Sequence, residues 1–280
     1  MSLYQLLTTE KKLRMMWKVE KDGKASYLVG AAHFFPYSFK KSLSPYINNA
    51  ETVLLEGPLD EANMNKVIEQ GTGGNENNNS SLNGLLDDNA INQINRLEYI
   101  LPSPSYYGTF MMTYGGQSRN DLLYNQIKDK KPWMAFFSIW FYFRARNGWR
   151  YTMDVDALNI AKEKGKEVHF LEKIDEQIEA LNGIPVERIV NFLKITNKWD
   201  KYGRRYVKYY LKGDIKGLLS GANDFPTYCD SIIDKRDPVL YERMKPFLEK
   251  GNALALVGVT HINGIREMLI KDGYTVNEMA

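Results

Sequence analysis

Apolar positions along this chain fall into two kinds of pattern. Four short runs are almost continuously apolar: SYLVGAAH (26–33), ETVLLEG (51–57), EVHFLE (167–172) and NALALVGVTH (252–261). Runs of that length without alternation suit strands covered on both faces of a sheet. A shorter, more polar segment, YTVNEM at 274–279, predicts a fifth strand at an edge. Between these runs apolar residues recur at helical spacing. SLSPYINNA (42–50) predicts a helix with Ser44 as its N-cap and Pro45 at the first helical position. MDVDALNIAKEKGK (153–166) places Val155, Leu158 and Ala161 on one face and stops at Gly165. NGIREMLIKDGYTV gives a last helix from Ile265 to Lys271, stopped by Gly273. Residues 71–83, GTGGNENNNSSLN, carry no apolar anchor and read as a surface loop, placed to lie over a site. The stretches 85–160 and 174–248 read as mainly helical and rich in tyrosine. The pattern as a whole predicts a single α/β domain over 1–280: a mixed sheet with its active site at the strand ends, and an inserted helical region.

Composition narrows the chemistry. The 280 residues are 44% hydrophobic and 12% aromatic, enough for a substantial core. Lys and Arg total 37 against 34 Asp and Glu, a formal net charge of +3, which argues against a nucleic-acid partner because phosphate neutralisation needs a concentrated basic excess. The one cysteine, Cys229, cannot close an internal disulfide or build a thiolate zinc site. A metal would have to use carboxylates and the three histidines, His33, His169 and His261. The N-terminal segment has no long apolar core and no small-residue cleavage site, so it does not read as a signal peptide. That points to the cytoplasm, or to the envelope or outside if a leader precedes this segment. The most apolar run, WMAFFSIWFYF (133–143), would cover roughly 16 Å as a helix. That is about half a hydrocarbon core, so it predicts a buried aromatic helix and no integral membrane span.

Candidate chemistry collects at the strand ends. The first run closes on Gly30-Ala-Ala-His33, the second carries Glu56, and the fourth closes on Gly258-Val-Thr-His261. In open α/β sheets ligands bind beyond the carboxyl ends of the strands. Two imidazoles and a carboxylate delivered there suit a divalent cation such as Mn, Co, Zn or Fe. YLVGAAH and LALVGVTH read as two copies of one unit, expected side by side, which suggests pseudo-duplicated halves. The glycine three residues before each histidine would let the backbone bend or lie close to a ligand. Glu172, at the end of VHFLEK, is the later counterpart of Glu56. Arg236, opening a helix with Asp237, could bind a substrate carboxylate bidentately or form a solvated ion pair. His169 sits inside its strand and reads as a core or surface histidine. Asp154 and Asp156 stand at a helix start, where the dipole alone accounts for them.

Taken together, LVGAAHFFPYS, TVLLEGP, MDVDALNIAKEKGKEVHFLEKIDEQIEAL, SIIDKRDPVLYERM and ALALVGVTHINGIREMLIKDGYTV resemble the TraB/PrgY/GumN family, which includes the Tiki proteases that inactivate Wnt ligands. The likeness extends from about residue 26 to 276 and rests on an ordered set: Gly30 with His33, Glu56, Asp154, Glu172 with Gln177, Arg236 with Asp237, and Gly258 with His261. Two positions depart from the family pattern, Ile262 where Leu is usual and Asp237 where Asn is usual. The resemblance implies an α/β fold similar to the erythromycin-esterase and ChaN folds. It also implies a metal-dependent peptidase acting on peptides or proteins through a metal-bound water. His33 and His261 would be ligands, Glu56 a third ligand or the general base, Glu172 a reserve carboxylate, and Arg236 the group that orients substrate or stabilises an oxyanion. The rival reading is a non-catalytic module that sequesters a hydrophobic peptide or a haem-like ligand in the same pocket. Ester hydrolysis is a third, though no G-x-S-x-G nucleophile motif occurs.

Overall fold

Segments that are apolar on every side find cover on both faces of a sheet. The computed structural model, which describes residues 9–72, 81–99 and 122–279, holds six strands: β1 (Met16–Lys21), β2 (Lys24–Ala31), β3 (Thr52–Leu55), β4 (Glu167–Phe170), β5 (Ala253–Gly258) and β6 (Thr275–Glu278). Their order across the sheet is β4-β3-β5-β2-β1-β6. β4, β3, β5 and β2 run parallel, while β1 is antiparallel to both β2 and β6. Every residue of β3 and β5 is buried, and none of the two edge strands β4 and β6 is. All five expected strands are present. Each of the four apolar runs, however, leaves the sheet before its last residues, so His33, Glu56, Glu172 and His261 all lie just past strand ends. The two G-x-x-H strands are neighbours, paired with Gly30 opposite Val257 and Ala31 opposite Gly258.

β1 was not among the expected strands. It forms a hairpin with β2 through Asp22 and Gly23, both at positive φ (51° and 74°), as the tight two-residue turn between twisted strands requires. The helices are α1 (Lys40–Asn49), α2 (Glu61–Thr72), α3 (Asp88–Asn95), α4 (Leu123–Ile127), α5 (Pro132–Arg146), α6 (Met153–Glu163), α7 (Ile174–Asn182), α8 (Val186–Leu193), α9 (Trp199–Lys212), α10 (Ile215–Ser220), α11 (Asp237–Lys250) and α12 (Ile262–Lys271). α1 corrects the expected start. Ser38 Oγ accepts from the Lys40 amide and Glu10 Oε1 from the Lys41 amide, so the helix opens there and Pro45 lies inside it. Ser44 is not the cap; its hydroxyl donates to the Lys40 carbonyl at 2.7 Å. The expected loop at 71–83 is also shortened. Gly71 and Thr72 belong to α2, with Gly71 pressed against Trp133 and Met134. Residues 73–80 lie outside the described residues, as does 100–121 of the segment expected to be helical.

Two apolar cores meet above the sheet's carboxyl edge. One joins the strands to α1, α6, α11 and α12. The other is helical and aromatic, built around α5, which is buried on nearly all sides as expected for WMAFFSIWFYF. Trp199 is fully buried there, 5.1 Å from Trp140 and 5.0 Å from Phe192 between ring centroids. Among the described residues no helix is long and apolar enough to cross a membrane.

Candidate functional site

Parallel strands of nearly equal reach bring their carboxyl ends to one edge, and four chemistry-bearing side chains follow from that. His33 lies two residues beyond β2, in irregular backbone, and its side chain is 53% exposed. His261 ends a single 3-10 turn, Val259–His261, that leads into α12, and its side chain is 3% exposed. Glu56 follows β3 directly. Its two oxygens face the two imidazoles, Oε2 at 3.9 Å from His33 Nε2 and Oε1 at 3.8 Å from His261 Nε2. Glu172 follows β4, and the Glu172 amide bonds the Glu56 carbonyl at 2.9 Å, carrying the β3–β4 pairing past the strands.

Each histidine is held from behind by a carboxylate. Asp154, in the first turn of α6, lies 2.8 Å from His33 Nδ1; Asp237, at the start of α11, lies 2.6 Å from His261 Nδ1. Asp154 and Asp237 are themselves 4% and 5% exposed. A carboxylate accepting the Nδ1 proton leaves the Nε2 lone pair for another task, and the tautomer is here assigned from that geometry. Arg236 spans the two glutamates: Nε donates to Glu172 Oε1 at 2.8 Å, Nη2 to Glu172 Oε2 at 2.6 Å and also to Glu56 Oε1, and Nη1 stands 3.4 Å from His261 Nε2. Gln177 adds a longer bond to Glu172 Oε2 at 3.4 Å. Most of the guanidinium's donors are therefore engaged, so a substrate carboxylate would have to displace a glutamate to bind it bidentately.

The electrostatics of the cluster call for positive charge. Burial opposes ionisation of Glu56, yet Arg236, the two imidazoles and the Gly258 amide (2.8 Å from Oε2) together hold it far below the usual carboxylate range. Burial also opposes charge on His33, but Asp154 and Glu56 outweigh it and push the imidazole up to about 9. Burial pulls Arg236 down, and Glu56 and Glu172 more than restore it, leaving it raised. Burial raises Asp237 against the pull of His261. Four carboxyl groups surround two cations: Glu56 and Glu172 hold Arg236, Asp154 holds the raised imidazole of His33, and Asp237 holds His261.

The two motif glycines serve different ends. A Cβ on Gly30 would press on Ile262 and Val259 at 3.0 and 3.1 Å, so that glycine lets β2 pack against the turn after β5. A Cβ on Gly258 would lie 3.1 Å from His33 Nε2, 3.4 Å from Glu56 Oε2 and 3.4 Å from His261 Cδ2. The three side chains thus crowd over residue 258, which leaves no room there for a side chain. The donor types and the surplus of carboxylates suit a divalent cation. As they stand, no three His, Cys, Asp or Glu side chains among the described residues close around an ion, and Arg236 rests on the oxygen of Glu56 that faces His261.

The sequence reading identified His33, Glu56, Glu172, Arg236 and His261, and the fold brings all five together. Asp154 entered it as a helix-start carboxylate and a position of the family pattern, and Asp237 as a departure from the family's Asn; the structure sets each against a histidine. The signal available was that a liganding imidazole needs a partner on its second nitrogen. His169 takes no part: it lies on β4, 2.6 Å from Glu167 and against the ring of Phe247. His33, Glu56, Arg236 and His261 line a cavity of about 410 Å³ together with aromatic and aliphatic side chains, among them Phe137, Trp140, Tyr202 and Phe225, while Glu172 stands behind Arg236 outside that lining.

No curated protein and no solved structure matches the chain. A family model does, over residues 15–278, which takes in all six strands and every residue of the site. The chain belongs to the TraB/PrgY/gumN family.

Proposed function

We propose that this protein is a metal-dependent hydrolase of peptide or amide bonds, with His33 and His261 as ligands through Nε2 and Glu56 completing the set. The observation that carries this reading is the approach of both Nε2 atoms to the Glu56 carboxylate, at 3.9 and 3.8 Å, each imidazole backed by a buried carboxylate. A divalent cation held there supplies Lewis acidity, polarising a carbonyl and lowering the pKa of water toward about 7. Mn, Co, Zn and Fe all suit this donor set.

The chain's own groups divide the remaining work. Asp154 and Asp237 fix the imidazoles by accepting their Nδ1 protons. Glu56 turns one oxygen toward each imidazole and accepts the Gly258 amide, a placement that favours ligation over the general-base role. Arg236 keeps a full positive charge 3.4 Å from His261 Nε2, beside the place where negative charge would develop on a carbonyl oxygen. Glu172, 4% exposed, anchors Arg236 bidentately.

Two variants test the ligand assignment. His33→Ala and His261→Ala, loaded with Mn²⁺ or Co²⁺ and desalted, should each lose the ion by elemental analysis while circular dichroism stays that of the parent. Full metal stoichiometry in either one overturns the assignment. The wild-type protein should cleave members of a peptide library with added Mn²⁺ or Co²⁺ and not with EDTA. The aromatic cavity favours one other reading, a module that holds an apolar ligand without turnover; binding with no products under any metal would select it.

A further inference from the structure

The cavity that holds the reactive side chains at one end is much larger than those side chains need. About 410 Å³ lies within the range of sites that enclose small ligands, about 300–1,000 Å³. Its charged lining groups are His33, Glu56, Asp154, Arg236 and His261, all in the site just described, together with Arg144. Arg144 is 6% exposed, and its guanidinium lies flat on the Phe34 ring, 3.5 Å from the centroid. The remaining wall comes from the aromatic core. Trp149 stacks on Tyr206 (6.0 Å, 25°) and Tyr202 stacks on Phe225 (5.8 Å, 15°), presenting ring surface, while Leu181 and Ile232 add aliphatic surface. Burial pushes the Tyr202 and Tyr206 phenols up, so they add no charge near neutrality.

We propose that this apolar end is the specificity pocket: it receives a bulky uncharged group of the substrate, an aromatic or branched aliphatic side chain, next to the bond presented to His33, Glu56 and His261. The proposal rests on the hydrolase reading for the second half of that statement, and its first half stands on the cavity alone. The continuity of the cavity carries the relation, since the reactive side chains and the rings line the same space, with Arg144 as a further charged group on its wall. A lysine side chain entering among those rings would leave its water and meet the like charge of Arg144, which is costly. An aromatic ring would gain edge-to-face and stacked contacts with Trp149, Tyr202 and Phe225.

The test uses the full chain in EDTA, where no ion is held and only the pocket is read. The neutral fluorophore N-phenyl-1-naphthylamine should bind saturably at one site per chain. Acetylated tripeptide amides with a central Phe or Leu should displace it, and those with a central Lys should not. Ala222→Trp, which adds an indole to a buried position of the lining, should weaken the probe by about tenfold or more. Leu181→Asp should do the same by placing a charge in the wall, and serves where the first variant fails to fold by circular dichroism. Absence of saturable probe binding, equal displacement by charged and apolar peptides, or undiminished affinity in a folded variant overturns the pocket. A wild-type protein that binds the probe selectively but takes up no metal leaves the pocket standing and sinks the hydrolase reading alone.

Discussion

A methyl group at position 258 would sit between His33, Glu56 and His261, at 3.1–3.4 Å from each. The backbone there, at φ −50°, accepts alanine without strain, so the substitution acts by pushing on those three side chains. Gly258→Ala should lower unfolding stability by about 1 kcal/mol through tight contacts, and weaken Mn²⁺ binding by calorimetry at least about tenfold. Unchanged Mn²⁺ affinity in the folded variant would mean that the ion does not depend on how these three side chains are placed. At the same scale, how well each site residue could be read depended on whether it had a local explanation. A histidine after an apolar strand has none, so His33 and His261 stood out, and Glu56 stood out for the same reason. Asp154 and Asp237 each open a helix, where the dipole already favours a carboxylate, and that sufficient local account hid their bonds to histidines far along the chain. The glycines of the two G-x-x-H units looked alike in sequence. Only packing separates them, because Gly30 meets aliphatic side chains and Gly258 meets the site.

Among the elements, those with strong periodicity or unbroken apolar character were the legible ones. β3 and β5 are buried along their whole length, and the strand-ending residues follow from them. β1, MWKVEK, is a weaker signal because polar residues punctuate it, yet the Asp22-Gly23 pair between it and β2 is a strong hairpin mark that could have revealed it. α1 was misplaced at its start because Ser44 before Pro45 was the stronger local signal, while the first amides are satisfied by Ser38 at Lys40 and by Glu10, thirty-one residues away, at Lys41. α5 was legible as a buried helix but not as the centre of a separate aromatic core, since its partners lie on α8 and α9. Trp199 tests that core from behind the cavity wall, since it does not line the cavity but packs on Trp140, which does. It is fully buried, packs on Trp140, Phe143 and Phe192, and donates its Nε1 proton to the Phe192 carbonyl at 3.1 Å. Trp199→Ala should cost about 3–5 kcal/mol in urea unfolding. Trp199→Phe, which keeps a ring and loses the indole bond to a carbonyl that the Ile195 amide also reaches at 3.3 Å, should cost less than the alanine variant. A loss under about 1 kcal/mol for alanine would mean the helical part is not packed as described.

At the scale of the molecule, the site depends on how the sheet edge is tied to the helices, and α11 makes that tie. It begins beside Arg236, inside the site, and two turns on carries Arg243, whose Nη1 donates to the Leu171 carbonyl at 2.8 Å. The same guanidinium holds both oxygens of Glu176 on α7, at 2.6 and 2.7 Å. Leu171 immediately precedes Glu172, so this clamp fixes the chain that presents the carboxylate anchoring Arg236. The Arg243 bonds, and next the Lys173 amide, push Glu176 down to about 2. A lowered carboxylate contributes stability that is complete above its ordinary value, 4.5, and is lost as pH falls through about 2. Both side chains are 38–40% exposed, so solvent screening reduces the contribution to about 0.5–1 kcal/mol. Arg243→Ala should therefore melt below the wild type at pH 5, with the gap narrowing steadily through pH 4 and pH 3, and narrowing again in 1 M salt at pH 5. A gap that stays constant from pH 5 to pH 3 would assign the whole effect of Arg243 to the Leu171 carbonyl and none to its pairing with Glu176.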